Sequence, residues 1–239
     1  MNTEKKLKAI IIGATGAVGR ELVDYLLQNP NYEKVTIFVR RIIDRWIDLP
    51  ENKKKKLNII EVENLDFLSN EKEQILKLLN DNVQYDVLFN TLGSRVGRGK
   101  EEFIKVDFTY VVNSCIMCEK LNISHFSNCS AASVSKNSCL LYNRVKGQAE
   151  EECLNKNVDY ISIMKPGLIL NRDNDSRCME KFLGCCLVCF PKISSKDIAM
   201  AMIEDDIEYQ NGNKENKIAI RISNKDMKVL AKKGNQMWL

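Results

Sequence analysis

Three glycines at a spacing of three constrain this chain more than anything else in it. Gly13-Ala-Thr-Gly16-Ala-Val-Gly19 follows the β-branched run Leu7–Ile12 directly. It opens a segment, residues 17–28, whose apolar Val18, Leu22, Val23, Leu26 and Leu27 keep helical spacing. The context of strand, glycine turn and helix gives the spacing its meaning. Gly13 lets the chain turn sharply, Gly16 lets the backbone approach a pyrophosphate, and Gly19 lets the helix lie close on the strand. The helix N-terminus offers free N–H groups and partial positive charge to phosphates. Gly13, Thr15, Gly16, Ala17, Val18, Gly19 and Arg20 are therefore expected to line a dinucleotide. The bland alternative is a tight structural turn.

Strand and helix signals then alternate. Strands are expected at Val35–Val39, Asn58–Val62, Asp86–Thr91, His125–Cys129 and Tyr160–Met164. Helices are expected over 71–80, 101–121 and 142–156, with Asn29-Pro30-Asn31 stopping the first helix. Residues 44–57, with Pro50 and the Lys53–Lys56 run, read as a solvated loop. The pattern predicts an α/β doubly wound parallel sheet, a Rossmann fold, with right-handed crossovers. We expect one domain over residues 1–239, with a nucleotide-binding core over 1–165. Residues 166–239 would form a small substrate or lid extension holding a cysteine-rich segment 178–190, a helix from Ser195 to about Glu208, a strand Ile218–Ile222 and a helix near Asp226–Lys232. Residues 211–216 read as a polar turn.

Composition excludes several classes. Lys and Arg total 36 against 32 acids, a net charge of +4, too mild to argue for direct nucleic-acid or membrane binding. No apolar run approaches the ~18 residues of a membrane span, and the N-terminal apolar stretch is too short for a signal peptide. These readings predict a cytoplasmic protein. The single histidine, His125, excludes His-rich zinc sites, and its place at a strand start predicts a structural role. Nine cysteines lie mostly in apolar segments, so reduced core thiols are expected and no metal.

The strand ends carry the chemistry. An acid after the second strand would bond the ribose hydroxyls of NAD, whereas an arginine there accommodates the 2′-phosphate of NADP. Here the strand ends Val39-Arg40-Arg41, so NADP(H) is expected, the alternative being a surface arginine pair. Asp66-Phe67 follows the third strand, where Asp66 accepts from an adenine amine or caps a turn. Asn90-Thr91-Leu92-Gly93 ends the fourth, with Leu92 and Gly93 beside the cofactor path. The fifth ends at Ser130, followed by Tyr142 and Lys146, four residues apart on one helix face. A lysine ammonium lowers the pKa of a neighbouring phenol and makes it a usable acid. Ser130 at a strand end can bond the same substrate oxygen.

These motifs, with Lys165-Pro166-Gly167, resemble the short-chain dehydrogenase/reductase superfamily. Arg20, Val39-Arg40-Arg41, Phe103-x-x-Val106-Asp107-x-x-Tyr110-Val111, His125-Phe126 and Tyr142-x-x-Val145-Lys146-Gly147 resemble one atypical branch, the Tat-interacting-protein-like oxidoreductases. The resemblance implies a Rossmann fold, bound NADP(H), a catalytic set of Ser130, Tyr142 and Lys146, and Pro166 at the cofactor. Lys146 would also hold the nicotinamide ribose. It further implies a regulatory role with links to nuclear import and transcription, which leaves a nuclear location open. The segment Ala131-Ala132-Ser133 departs from the branch and leaves open whether Ser130 or Ser133 faces the substrate.

The expected function is an NADP(H)-dependent oxidoreductase acting on a small carbonyl or alcohol substrate, as monomer or homodimer. The alternative is a catalytically silent NADP(H)-binding regulatory protein that senses nucleotide and binds a protein partner. A weaker third reading is a flavin or biliverdin-type binder with no use for Tyr142.

Overall fold

A computed structural model describes residues 5–80, 83–94, 96–170, 191–212 and 217–237. The expected segment 178–190, with Cys178, Cys185, Cys186 and Cys189, and turn residues 213–216 lie outside the described residues.

The chain runs β1 (Leu7–Ile12), α1 (Ala17–Gln28), β2 (Tyr32–Val39), a 3-10 turn Asp44–Trp46, α2 (Glu51–Lys54), β3 (Leu57–Glu61) and a 3-10 turn Asp66–Ser69. It continues through α3 (Lys72–Leu79), β4 (Val87–Asn90), α4 (Lys100–Ile104), a π turn Lys105–Thr109, α5 (Tyr110–Leu121), β5 (His125–Cys129) and α6 (Leu141–Leu154). It ends with β6 (Tyr160–Lys165), β7 (Leu168–Leu170), β8 (Lys192–Ser194), α7 (Ser195–Asn211), β9 (Ile218–Ser223) and α8 (Asn224–Met237).

Seven strands form one parallel sheet in the order β3-β2-β1-β4-β5-β6-β9. This is the expected doubly wound Rossmann fold. Alternate residues of each strand face opposite layers. Ala9 and Ile11 pack with Leu22 and Leu26 of α1 and Ile198 and Met202 of α7. Ile10 and Ile12 pack with Ile75 of α3, Met117 and Leu121 of α5 and Ala149 of α6. The order reverses between β1 and β4, which opens a crevice at the carboxyl ends of the strands, where such sheets bind ligands.

Three expectations are corrected. Residues 44–57 are not a solvated loop. Trp46 is buried in the core layer of α1. Lys56 Nζ donates to the backbone oxygens of Leu26 (2.5 Å) and Asn29 (2.6 Å) at the end of α1. A helix end leaves carbonyls unsatisfied, and a lysine there meets both the orphan oxygens and the negative end of the dipole. The helix expected over 101–121 is broken by the π turn, which carries the buried Asp107 inward. The third correction concerns the tail strand, which joins the main sheet: β9 pairs with β6 from Tyr160–Ile218 to Lys165–Ser223.

His125 opens β5, at the sheet edge opposite the glycine turn. It is fully buried, with Nδ1 2.7 Å from Asp206 Oδ1 and Nε2 3.0 Å from Ser162 Oγ. The hydroxyls of Tyr32 and Tyr160 donate to Asp206 (2.5 Å) and Asp205 (2.6 Å). Two buried carboxylates on α7 are thus paired from β2, β5 and β6, and His125 ties that helix to the sheet.

Candidate active site

The glycine turn has the geometry its spacing predicts. Gly13 has φ +88°, and a Cβ there would stand 2.8 Å from the Thr91 carbonyl carbon. A Cβ on Gly19 would stand 2.3 Å from the Gly13 oxygen, so only glycine lets α1 lie this close. Gly16 begins α1 with no side-chain cap and no acid in the first turn, which leaves N–H groups for an anion. Thr91 Oγ lies 3.1 Å from the oxygens of both Ile12 and Gly13, shares its one proton between them and pins the turn to the end of β4. Thr15 is exposed, and its oxygen receives Arg20 Nη1 at 3.4 Å. Ala17 and Val18 open α1.

Arg40 and Arg41 follow β2 and are both exposed at the same edge. Asp66 begins the 3-10 turn after β3. Its carboxylate receives Lys105 Nζ (2.8 Å) and Tyr110 OH (2.9 Å), and these bonds hold it below the usual carboxylate range. The ring of Phe67 sits 4.6 Å from that of Phe38, at the edge between β2 and β3. Leu92 and Gly93 continue from β4, and a Cβ on Gly93 would be 3.9 Å from Asp107 Oδ1.

Tyr142 and Lys146 lie on α6 and face α4 and the π turn. The Tyr142 ring stacks on Phe103 at 5.7 Å, and the residue is 38% exposed. Lys146 Nζ lies 5.6 Å from the Tyr142 ring centroid and pairs with Asp107 Oδ1 at 2.8 Å. Burial alone would lower the Lys146 pKa. The Tyr142 phenol and the Asp107 carboxylate outweigh it, and the ammonium is held above its ordinary value. Asp107 Oδ2 receives Ser94 N (2.8 Å) and Ser94 Oγ (2.7 Å), which fixes the carboxylate.

Ser130 stands differently. It is buried, and its hydroxyl donates to Glu150 Oε1 at 2.5 Å. Lys165 Nζ bonds both Glu150 oxygens (2.7 and 2.8 Å) and Arg221 Nε reaches Oε2 at 3.4 Å. A hydroxyl has one proton, so here Ser130 offers only acceptor lone pairs to a ligand. Pro166 follows Lys165, and its oxygen accepts from Ala132 N at 2.6 Å, holding the loop after Ser130.

The structure thus brings together Tyr142, Lys146, Gly93 and the glycine turn along one sheet edge, and ties Ser130 to a separate acid. Sequence reasoning missed Asp107, Ser94, Thr91 and Glu150 as site residues. Glu150 had a signal: it continues the four-residue step Tyr142, Lys146 on one helix face. The described cysteines Cys115, Cys118, Cys129 and Cys153 are buried and Cys139 is exposed, and none of these five forms a disulfide. Among the described residues no group of three His, Cys, Asp or Glu is placed to hold a metal ion, and no helix is long and apolar enough to cross a membrane.

Comparison with known proteins places the chain among nicotinamide-nucleotide binders. A family model described as NAD(P)H-binding matches residues 13–204. Protein HTATIP2 of Rattus norvegicus is 29% identical over 179 residues, covering 73% of this chain and 69% of that protein. Protein FMP52-2, mitochondrial, of Scheffersomyces stipitis is 25% identical over 175 residues, covering 72% and 71%. Among solved structures, MoeE5 in complex with UDP-glucose and NAD superposes with a TM-score of 0.65 at 13% identity, over 90% of this chain and 75% of that one, a likeness of fold. The names of the fungal relatives, from Scheffersomyces stipitis, Candida albicans and Kluyveromyces lactis, are mitochondrial, and they overturn the expected cytoplasmic or nuclear location.

Proposed function

Because this chain belongs to the NAD(P)H-binding family, we propose that it is an NADP(H)-dependent oxidoreductase of the short-chain type, acting on a small carbonyl or alcohol substrate. The family match and the likeness to rat HTATIP2 bear out the atypical short-chain dehydrogenase/reductase branch. The observation that carries the activity is the ion pair of Lys146 with Asp107 beneath the Tyr142 ring, at the edge shared with the glycine turn.

The residues fit a dinucleotide. Gly13 and Gly19 stand where any side chain would collide, and the start of α1 leaves its N–H groups uncapped. Gly13, Thr15, Gly16, Ala17, Val18, Gly19 and Arg20 would hold the pyrophosphate, Arg40 and Arg41 the 2′-phosphate, Asp66 and Phe67 the adenine, and Leu92, Gly93 and Pro166 the nicotinamide half. When bound, the nicotinamide supplies or accepts the hydride.

In reduction, Tyr142 OH gives its proton to the carbonyl oxygen as the C=O π bond opens, and the phenolate recovers a proton from solvent. Lys146 stays charged beside the phenol and would hold the nicotinamide ribose. Asp107 keeps Lys146 in place. Ser130, whose proton goes to Glu150, can accept from a substrate hydroxyl but has nothing to donate to a carbonyl oxygen. The last point is also what favours the second reading, a catalytically silent NADP(H)-dependent sensor with a protein partner. The fungal names support a mitochondrial location, checked by fractionating cells that express the tagged chain.

The test is a carbonyl-compound screen that follows NADPH absorbance, repeated on Tyr142→Phe. That variant keeps the ring on Phe103 and loses the acid, so kcat falls by about 10²–10⁴-fold while NADPH still binds. Wild-type turnover in the variant refutes the assignment. NADPH binding with no turnover in a broad screen selects the sensor.

A further inference from the structure

A cleft of about 600 Å³ lies beyond Ser130, at the carboxyl ends of β6 and β9, with Ser133, Lys165, Ser223, Asn224, Lys225 and Lys228 in its wall. In sheet order it is three to four strands from β1, or about 14–19 Å at the usual strand spacing. It therefore stands apart from the glycine turn, beside the loop that follows Ser130. Lys165 connects the two regions, since it lines the cleft and shares Glu150 with Ser130.

The charge in this wall is unbalanced. Lys165 is neutralised by Glu150, but Lys225 and Lys228 are exposed and have no ion-pair partner among the described residues. They are three apart on α8, so they face the same side and repel. They also sit in its first turns, where the helix dipole is already positive. The acid of that turn, Asp226, is turned to its own cap, accepting from Ser223 Oγ at 2.6 Å. No carboxylate lines the cleft among the described residues. Ser133 enters the same wall at φ +57°, a left-handed conformation that a serine seldom adopts. Two cations near a positive helix end, sharing a cleft wall with Ser133, make a seat for anionic oxygen.

We propose that this cleft binds an acidic group of the substrate, a carboxylate or phosphate, through Lys225 and Lys228, and that Ser133 rather than Ser130 faces this part of it. The proposal deepens the oxidoreductase reading and rests on it: the substrate class becomes a carbonyl compound with an acidic group at its far end. Lys225 and Lys228 then determine specificity and Tyr142 does the chemistry.

The experiment has a binding arm and a turnover arm, both on the full chain with saturating NADPH. In the first, succinate and inorganic phosphate are titrated separately by calorimetry, which distinguishes a carboxylate seat from a phosphate seat. One of them binds saturably, and the doubly substituted Lys225→Gln/Lys228→Gln protein binds it at least tenfold more weakly while NADPH affinity is kept. Absence of saturable binding, or equal binding by the double variant, overturns the anion seat. In the second arm, 4-carboxybenzaldehyde and its methyl ester are compared. The acid is reduced with at least tenfold higher kcat/KM, and the ratio falls toward one in the double variant. Equal kcat/KM for acid and ester in the wild type overturns the substrate assignment. Anion binding lost with the two lysines, in a protein that reduces neither aldehyde nor any compound of the broad screen, upholds the anion seat and overturns the oxidoreductase reading.

Discussion

Arg40 and Arg41 stand exposed at the end of β2, at the place where an acid would choose NAD. A guanidinium pairs with a phosphate through two parallel hydrogen bonds, and such charge-assisted contacts contribute about 1.5–3 kcal/mol. NADPH is accordingly expected to bind about tenfold or more tightly than NADH. Fluorescence titration of both nucleotides checks this, and Arg40→Asp should erase the ratio or reverse it; an unchanged ratio removes the 2′-phosphate role. The residues of this kind that could be read from the sequence share a property: Gly13, Gly16, Gly19, Tyr142 and Lys146 act through local spacing. Asp107 could not be read the same way. Its contact with Lys146 depends on how a π turn in one segment meets a helix some forty residues later, and no local pattern encodes that meeting. Glu150 falls between these cases, since its helix face was legible but its partners Ser130, Lys165 and Arg221 come from three other strand ends.

At the scale of elements, the strands and most helices followed from period and turn chemistry, and the misreadings occur where a polar residue is buried. The expected helix from Ser195 carries Glu204, Asp205 and Asp206, acids of a kind usually solvated, yet all three are buried in α7. Asp205 and Asp206 are answered by Tyr160, His125 and Tyr32. Glu204 is not: neither carboxylate oxygen has a hydrogen-bond partner among the described residues. It lies under α8, where a Cβ on Gly234 would touch its Cγ. Burial pushes its pKa up, Lys233 opposes that, and Glu208 adds to it. A raised pKa in an acid means the folded state binds more protons than the unfolded one. The penalty is absent below the unfolded value, grows as pH rises through the window up to the folded value, and is complete above it. Glu204→Gln should therefore raise Tm by roughly 2–4 °C near neutral pH, equivalent to about 1 kcal/mol in a chain of this size. The gain should vanish on acidification below the unfolded carboxylate range, and a gain that is the same at all pH values would contradict the assignment. Lys56 tests a half-buried donor: burial, with Lys6 and Lys53 nearby, lowers its pKa to about 8, yet its Nζ answers two backbone oxygens. Lys56→Met should cost about 1 kcal/mol, read as a lower midpoint in urea, because it leaves carbonyls at the end of α1 without a donor.

For the whole molecule, the question is whether the first 165 residues form a unit to which the tail is attached. The sheet argues for one domain over the full chain. β9 extends it alongside β6, and α7 covers one face of its centre with Ile198, Met202 and Ile203, all fully buried. Burying such side chains is worth about 1.5–3 kcal/mol each. Three of them are comparable to much of the ~5–15 kcal/mol by which a domain is stable at all. Removing α7 also strips Asp205 and Asp206 from His125, Tyr32 and Tyr160, and each polar group then left unpaired in an apolar layer costs about 1–3 kcal/mol. Among the described residues of 1–165 no acid replaces these partners, although every strand of the nucleotide edge lies within that range. The sequence could show that Ser195 onward is helical, but not that this helix faces β5, because the pairing is made by acids that local pattern assigns to solvent. A fragment 1–165 should therefore give no cooperative thermal transition, no near-ultraviolet circular dichroism of packed aromatics and no measurable NADPH binding, while 1–239 gives all three. A fragment that melts cooperatively and binds NADPH with the affinity of the full chain would mean that α7 and β9 are an added cover. In that case the cleft beside β9 would belong to a detachable part of the molecule, and the lysines of α8 could be removed together with it while the nucleotide site stayed intact.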